Sequence, residues 1–144
     1  EAAVGARWLP KDELLRAADF LVLALPYTPE NRHAVGAAEL ALMKPAACLI
    51  NVARGGIVDD GALIAALREK RLAGAGLDVF ENEPAFDPGF LELDNVVLTP
   101  HIGTATRATR VAMAMRAAGN LVTAMQGRRP RDVVNPEVES MLRA

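Results

Sequence analysis

Four short, almost unbroken apolar runs limit what this chain can fold into: residues 20–25 (FLVLAL), 48–52 (CLINV), 75–79 (AGLDV) and 96–98 (VVL). Runs this short suit strands rather than helices, and continuous rather than alternating apolarity is the mark of strands covered on both faces. Helical patterns separate them, at residues 12–18, 37–43 and 60–71, the second stopped by Pro45. Strands alternating with helices predict an α/β fold: a parallel sheet with flanking helices as crossovers. Residues 6–9 offer a possible further short strand.

Two helices are better defined than the rest. In 60–71, Asp59 or Asp60 can accept the free N–H groups of the first turn. Leu63, Ile64 and Leu67 form its apolar face, and Arg68, Lys70 and Arg71 suit the negative end of its dipole. In 106–126, Val111, Met115, Ala118, Val122 and Met125 recur every three or four residues, a stripe predicted to face a core, with Gly127 as the stop. The tail, 127–144, contains Pro130 and Pro136 and reads as an extended exit with a short terminal turn or helix.

A parallel sheet of this kind binds ligands beyond the carboxyl ends of its strands. In this sequence those places hold the polar and glycine-rich clusters. Pro26-Tyr27-Thr28 follow the first run, Ala53-Arg54-Gly55-Gly56 the second, and Thr99-Pro100-His101 the fourth, while Asp78 ends the third. The crevice at that edge is therefore the expected site.

Each candidate there has two readings. Arg54 offers a fixed guanidinium fork for a carboxylate or α-keto acid, or forms a surface ion pair with Asp59 or Asp60. His101 can exchange a proton near neutral pH, or cap the long helix that follows. Glu83 can orient His101, or belong to an acidic solvated loop. Asp78, inside an apolar segment, needs a partner, from a ligand or from within the chain. His33, in a polar turn, reads as structural. Gly74 and Gly76 supply only G-x-G, without the setting of a dinucleotide fingerprint.

The bulk properties exclude several alternatives. The 144 residues are 51% hydrophobic and 24% charged, a globular profile. A net charge of −2 without a basic block argues against nucleic-acid binding. No apolar stretch approaches the ~20 residues of a membrane span, and residues 1–8 lack signal-peptide order. A single cysteine, Cys48, precludes an internal disulfide and reads as a small buried hydrophobe, which suits a cytoplasmic setting. Two histidines and one cysteine, widely spaced, form no usual zinc set.

Taken together, these segments resemble the D-isomer-specific 2-hydroxyacid dehydrogenases. The matching pieces are LPYTPE (25–30), MKP (43–45), INVARGGIVD (50–59), AGLDVFENEP (75–84) and LTPHIG (98–103), in order and at the family's spacing over nearly the whole chain. The resemblance implies a partial Rossmann-like fold: residues 1–106 as the C-terminal part of an NAD(P)-binding domain, and 107–144 as a crossover helix and tail. It implies Arg54 as the binder of the substrate carboxylate and carbonyl oxygen, and His101 as acid/base with Glu83 as its partner. Leu25, Pro26, Val52, Ala53, Arg54, Asp78, His101, Gly103 and Thr104 match positions that line the cofactor, NAD or NADP. The implied substrate is a small 2-oxo or 2-hydroxy acid, and the implied assembly a homodimer.

Pro88-Gly89-Phe90-Leu91 and Val134-Asn135-Pro136-Glu137-Val138 are similar to the glyoxylate, hydroxypyruvate and 2-ketogluconate reductases within that family. The family's glycine fingerprint and its NAD/NADP selector have no counterpart in the sequence. The expectation is therefore a fragment that binds neither cofactor nor substrate tightly alone, with an exposed sheet edge prone to association. Two other readings stand beside the reductase. One is a dinucleotide-controlled binding module like the C-terminal binding protein co-repressors, which share the fold and the Arg, Glu, His set; the other is a truncated, inactive chain kept for dimerisation.

Overall fold

The computed structural model describes residues 2–135 and Glu137. The chain divides into two compact units, residues 1–101 and 102–144. The first contains α1 (Lys11–Ala17), β1 (Phe20–Leu23), α2 (Ala37–Leu42), β2 (Cys48–Asn51), α3 (Asp60–Arg68), β3 (Gly74–Leu77) and β4 (Val96–Leu98). Short 3-10 turns occupy Pro29–Asn31 and Pro88–Glu92. The second contains α4 (Arg107–Met125).

All strand pairs are parallel and the sheet order is β1-β2-β3-β4. In register, Leu21 pairs with Leu49, Leu49 with Ala75 and Ala75 with Val96; one step on, Leu23, Asn51, Leu77 and Leu98 form the next row. Leu21, Leu23, Leu49, Ala75 and Leu77 lie in one buried cluster with Leu15 of α1, Leu40 of α2 and Leu63, Ile64 and Leu67 of α3, and the half-buried Val96 and Leu98 pack against it. The Asp59 side chain accepts the Ala62 N–H at 3.0 Å and so fixes the start of α3. Phe80 joins the cluster between Phe86 and Phe90, with ring centroids 5.0 and 6.0 Å away.

The fold is the α/β parallel sheet expected, but its strands are covered on one face only. Phe20 (68% exposed), Val22 (54%) and Val97 (69%) lie on the open face. The reason is topological: right-handed crossovers that always step the same way leave their helices on the same side. Cys48 belongs to the same row as Phe20 and is only half-buried, not the buried hydrophobe expected.

Three further expectations are corrected. Residues 6–9 form no strand. Helix α3 ends at Arg68, where Lys70 takes a left-handed conformation (φ 55°). The α4 stripe faces no core among the described residues: Val111, Met115, Val122 and Met125 are each more than half exposed, since the described part of that unit holds one helix and no second layer. The helix does stop where expected, with Gly127 at φ 67°. The expected terminal turn or helix falls mostly outside the described residues. Among those residues no helix is long and apolar enough to cross a membrane.

Candidate active site

The strand ends position the candidate residues as a set. At the end of β2, Asn51 is 2% exposed. Its Oδ1 accepts the Ala53 N–H and its Nδ2 donates to the Arg54 carbonyl, both at 3.1 Å. A buried amide satisfied in this way braces the turn that presents Arg54. The Arg54 Nη1 donates to the Ala53 carbonyl at 2.6 Å. Asp59 and Asp60 are engaged elsewhere, by Ala62 and Glu81, so the expected alternative of a local ion pair does not hold.

Gly55 brings this turn against the next strand end. A Cβ at Gly55 would stand 1.7 Å from the Phe80 carbonyl oxygen, so only glycine permits the two backbones to meet. On the facing loop, Glu83 is the hinge of the site. Its Oε1 accepts the Phe80 N–H at 2.8 Å, and its Oε2 accepts from His101 Nδ1 at 2.7 Å. Burial pushes the Glu83 carboxyl up, but the hydrogen bonds from His101 and Phe80 outweigh it and hold the group below the usual carboxylate range. His101 takes a left-handed conformation (φ 52°) immediately after β4, and its side chain is 47% exposed. It does not cap α4; Thr106 does.

Arg54, Glu83 and His101 line one cavity of about 500 Å³, with Tyr27, Arg32, Gly55, Gly56, Phe80, Glu81 and Asn82. His101 and Glu83 also border an apolar hollow of about 520 Å³ walled by Phe80, Phe86, Leu91 and Leu98. On the other side, Arg54 and Tyr27 border a third, of about 590 Å³, with Ala24, Leu25, Pro26, Val52 and Ala53. Five residues expected to line a cofactor therefore share one wall: Leu25, Pro26, Val52, Ala53 and Arg54. The apolar side chains of Leu25, Pro26, Val52 and Ala53 fit the face of a flat ring such as nicotinamide at the carboxyl edge of the sheet.

Asp78 lines none of these three cavities, and Thr99 Oγ1 donates to its Oδ1 at 2.5 Å. A partner within the chain thus accounts for that carboxylate. Gly103 and Thr104 lie in the second unit, in a turn closed by the Ala105 N–H on the Ile102 carbonyl.

Sequence reasoning missed three contributors. Asn51 was legible as the polar residue within the apolar run 48–52. Tyr27, which packs over Gly56 with Cε2 3.2 Å from where a Cβ would stand, carried no signal beyond its place after a strand. Glu81 looked like one more acid in a charged loop, yet it binds both Arg32 and His33. Among the described residues no group of His, Cys, Asp or Glu could hold a metal ion.

Residues 1–103 match the family described as D-isomer specific 2-hydroxyacid dehydrogenase, NAD binding domain. The glyoxylate reductase of Thermococcus onnurineus (strain NA1) is 51% identical over 138 residues, 96% of this chain and 41% of that protein. The glyoxylate/hydroxypyruvate reductase B of Enterobacter agglomerans is 49% identical over 139 residues, again 96% of this chain and 43% of the relative. Among solved structures, the NADPH-dependent glyoxylate/hydroxypyruvate reductase of Sinorhizobium meliloti in complex with NADP and malonate superposes with a TM-score of 0.76 at 41% identity, covering 80% of this chain and 36% of that one. The chain thus spans about two fifths of the length of the relatives it matches. By the match over residues 1–103 and the identity across nearly its whole length, this chain belongs to the NAD-binding domain family of the D-isomer-specific 2-hydroxyacid dehydrogenases.

Proposed function

We propose that this chain supplies the acid/base and carboxylate-binding groups of an NAD(P)-dependent reductase of small 2-oxo acids, of the glyoxylate and hydroxypyruvate type. The observation that carries this reading is the His101–Glu83 pair, closed at 2.7 Å, on the same cavity as Arg54. With Nδ1 committed to Glu83, the His101 tautomer is set and Nε2 remains for the substrate.

In reduction, Arg54 holds the carboxylate of the 2-oxo acid and orients its carbonyl. His101 delivers the proton from Nε2 to the carbonyl oxygen as C2 is reduced, and the neutral ring recovers a proton from solvent. The Glu83 carboxylate, bonded to Nδ1, keeps the plane of the ring fixed. In the oxidative direction Nε2 removes the hydroxyl proton. A bound nicotinamide dinucleotide supplies or accepts the hydride; Leu25, Pro26, Val52 and Ala53 would hold its ring, with Asp78, Gly103 and Thr104 as further contacts carried over from the family pattern. A homodimer in the cytoplasm belongs to the same proposal.

The test uses the longest natural protein that contains this chain, assayed with NADH and NADPH against glyoxylate, hydroxypyruvate and 2-ketogluconate. His101→Ala should lower kcat by about 10²–10⁴-fold, the worth of a positioned acid/base. Arg54→Lys should chiefly raise KM, since an ammonium cannot replace the fork. Wild-type kinetics in both variants, or no turnover of any of the three acids by the parent protein, sinks the assignment.

A further inference from the structure

Both histidines of the chain are gripped by glutamates, and the two glutamates stand on either side of one residue in the same loop. Glu83 takes His101. Glu81 takes His33, whose Nε2 lies 3.0 and 3.2 Å from its two carboxylate oxygens, and Arg32 Nη2 donates to Glu81 Oε1 at 2.8 Å. The Glu81 N–H in turn donates to Asp60 Oδ2 at 2.9 Å. Asn82, between the two acids, turns the backbone through a left-handed conformation (φ 63°).

We infer that Glu81 is a positioning residue for the Glu83–His101 pair. Held by His33 and Arg32 through its side chain and by Asp60 through its backbone, it fixes the segment from which Glu83 reaches His101. The same clip sets that segment against the Arg54 turn, because the His33 N–H donates to the Gly56 carbonyl at 2.8 Å. Glu83 sits in a turn with its side chain 33% exposed. Left to itself, such a side chain samples several rotamers, and a donor ring aimed by it loses its angle.

The electrostatics agree with this placement. The His33 hydrogen bond, followed by Arg32, holds the Glu81 carboxyl below its ordinary range. The charged neighbours of this clip are His33 and Arg32 on one side, with Asp59 3.7 Å from His33 Nδ1, and Asp60 and Asp87 on the other. Ionised Glu81 is thus the acid on which the Arg32 guanidinium and the His33 ring converge. The catalytic meaning of the clip rests on the function proposed above, whereas its geometry does not.

The experiment reads geometry in this chain, without substrate. Nuclear magnetic resonance follows the Glu83 carboxyl carbon and the His101 ring nitrogens through a pH titration. In Glu81→Gln the depressed Glu83 midpoint should climb by about half a pH unit or more, and the His101 Nδ1 signal should move. His33→Ala should do the same, whereas His33→Gln, which keeps an N–H donor for Glu81, should restore the wild-type signals. A role confined to tying the loop down for stability would lower the unfolding midpoint but leave those signals in place, and that outcome overturns the inference.

Wild-type protein provides a second arm that survives any failure to fold: the His101 Nδ1 signal should register the protonation step of Glu81, and its silence there also refutes the clip. In the turning-over protein, Glu81→Gln should lower kcat by about tenfold to a hundredfold with KM unchanged. A clip seen by resonance in a protein that reduces no 2-oxo acid would sink the function and leave the geometry standing.

Discussion

The charge of the Asp60 carboxylate opposes folding. The residue is 8% exposed, and burial lifts its carboxyl to about 6, with repulsion from Glu81, Asp87 and Asp59 added and the Glu81 N–H working against the rise. The unfolded chain releases this proton near the ordinary value of 3.8, so the folded state holds the proton more tightly. Its contribution to stability is therefore present at low pH and lost as pH rises through that window, at a cost of about 3 kcal/mol once ionisation is complete. Asp60→Asn keeps an oxygen for the Glu81 N–H and removes the charge. Urea unfolding should find variant and parent similar near about pH 4 and the variant increasingly more stable toward about pH 7. A variant that loses ground as pH rises would contradict the burial argument. Glu81 and Glu83 run the other way: their depressed values add stability above the ordinary glutamate range that disappears as acid protonates them. Gly55 is constrained by shape instead. Gly55→Ala drives a methyl group into the Phe80 carbonyl, and since backbone blocks the way, about 3 kcal/mol of stability should be lost, read as a fall in the urea midpoint.

At the scale of elements, the one-sided sheet separates two classes of apolar residue that look alike in the sequence. Leu49 is fully buried beneath the helices, and Leu49→Ala should cost about 2–5 kcal/mol. Val22 lies on the open face, so Val22→Thr should change stability by about 0.5 kcal/mol or less in this chain. Equal losses at both positions would mean that the open face is covered in solution. This difference also marks the limit of sequence reading. The strand and helix positions were legible because apolar runs, a capping Asp59 and a stopping Gly127 are local signals. Arg54 and His101 were legible as site candidates because each follows a strand end, and parallel strands place those ends on a single edge; that they form one set with Glu83 came from the family pattern. Which face the helices cover was not legible, since it depends on the direction of successive crossovers. Nor were the partners of Asp78 and Glu81, because Thr99 and His33 stand 21 and 48 residues away in sequence and meet them only once the sheet is assembled.

For the molecule as a whole, the question is how much of a dinucleotide this chain can hold. The wall of Leu25, Pro26, Val52 and Ala53 suits one flat ring, but tight dinucleotide binding depends on the pyrophosphate, which glycine-rich turns and helix N-termini grip through backbone N–H groups. No G-x-G-x-x-G run occurs in the sequence, and a net charge of −2 gives the phosphates no compensating field. Hydrogen bonds to charged groups contribute about 1.5–3 kcal/mol each. Micromolar affinity corresponds to about −8 kcal/mol, so the loss of three such bonds is enough to move binding into the millimolar range. Calorimetric titration of this chain with NADH and with NADPH should therefore show dissociation constants far above micromolar for both, with little discrimination between them, because the ring end is the same in each. Micromolar binding of either would mean that residues 1–144 contain a phosphate cradle that neither the glycine pattern nor the strand ends reveal.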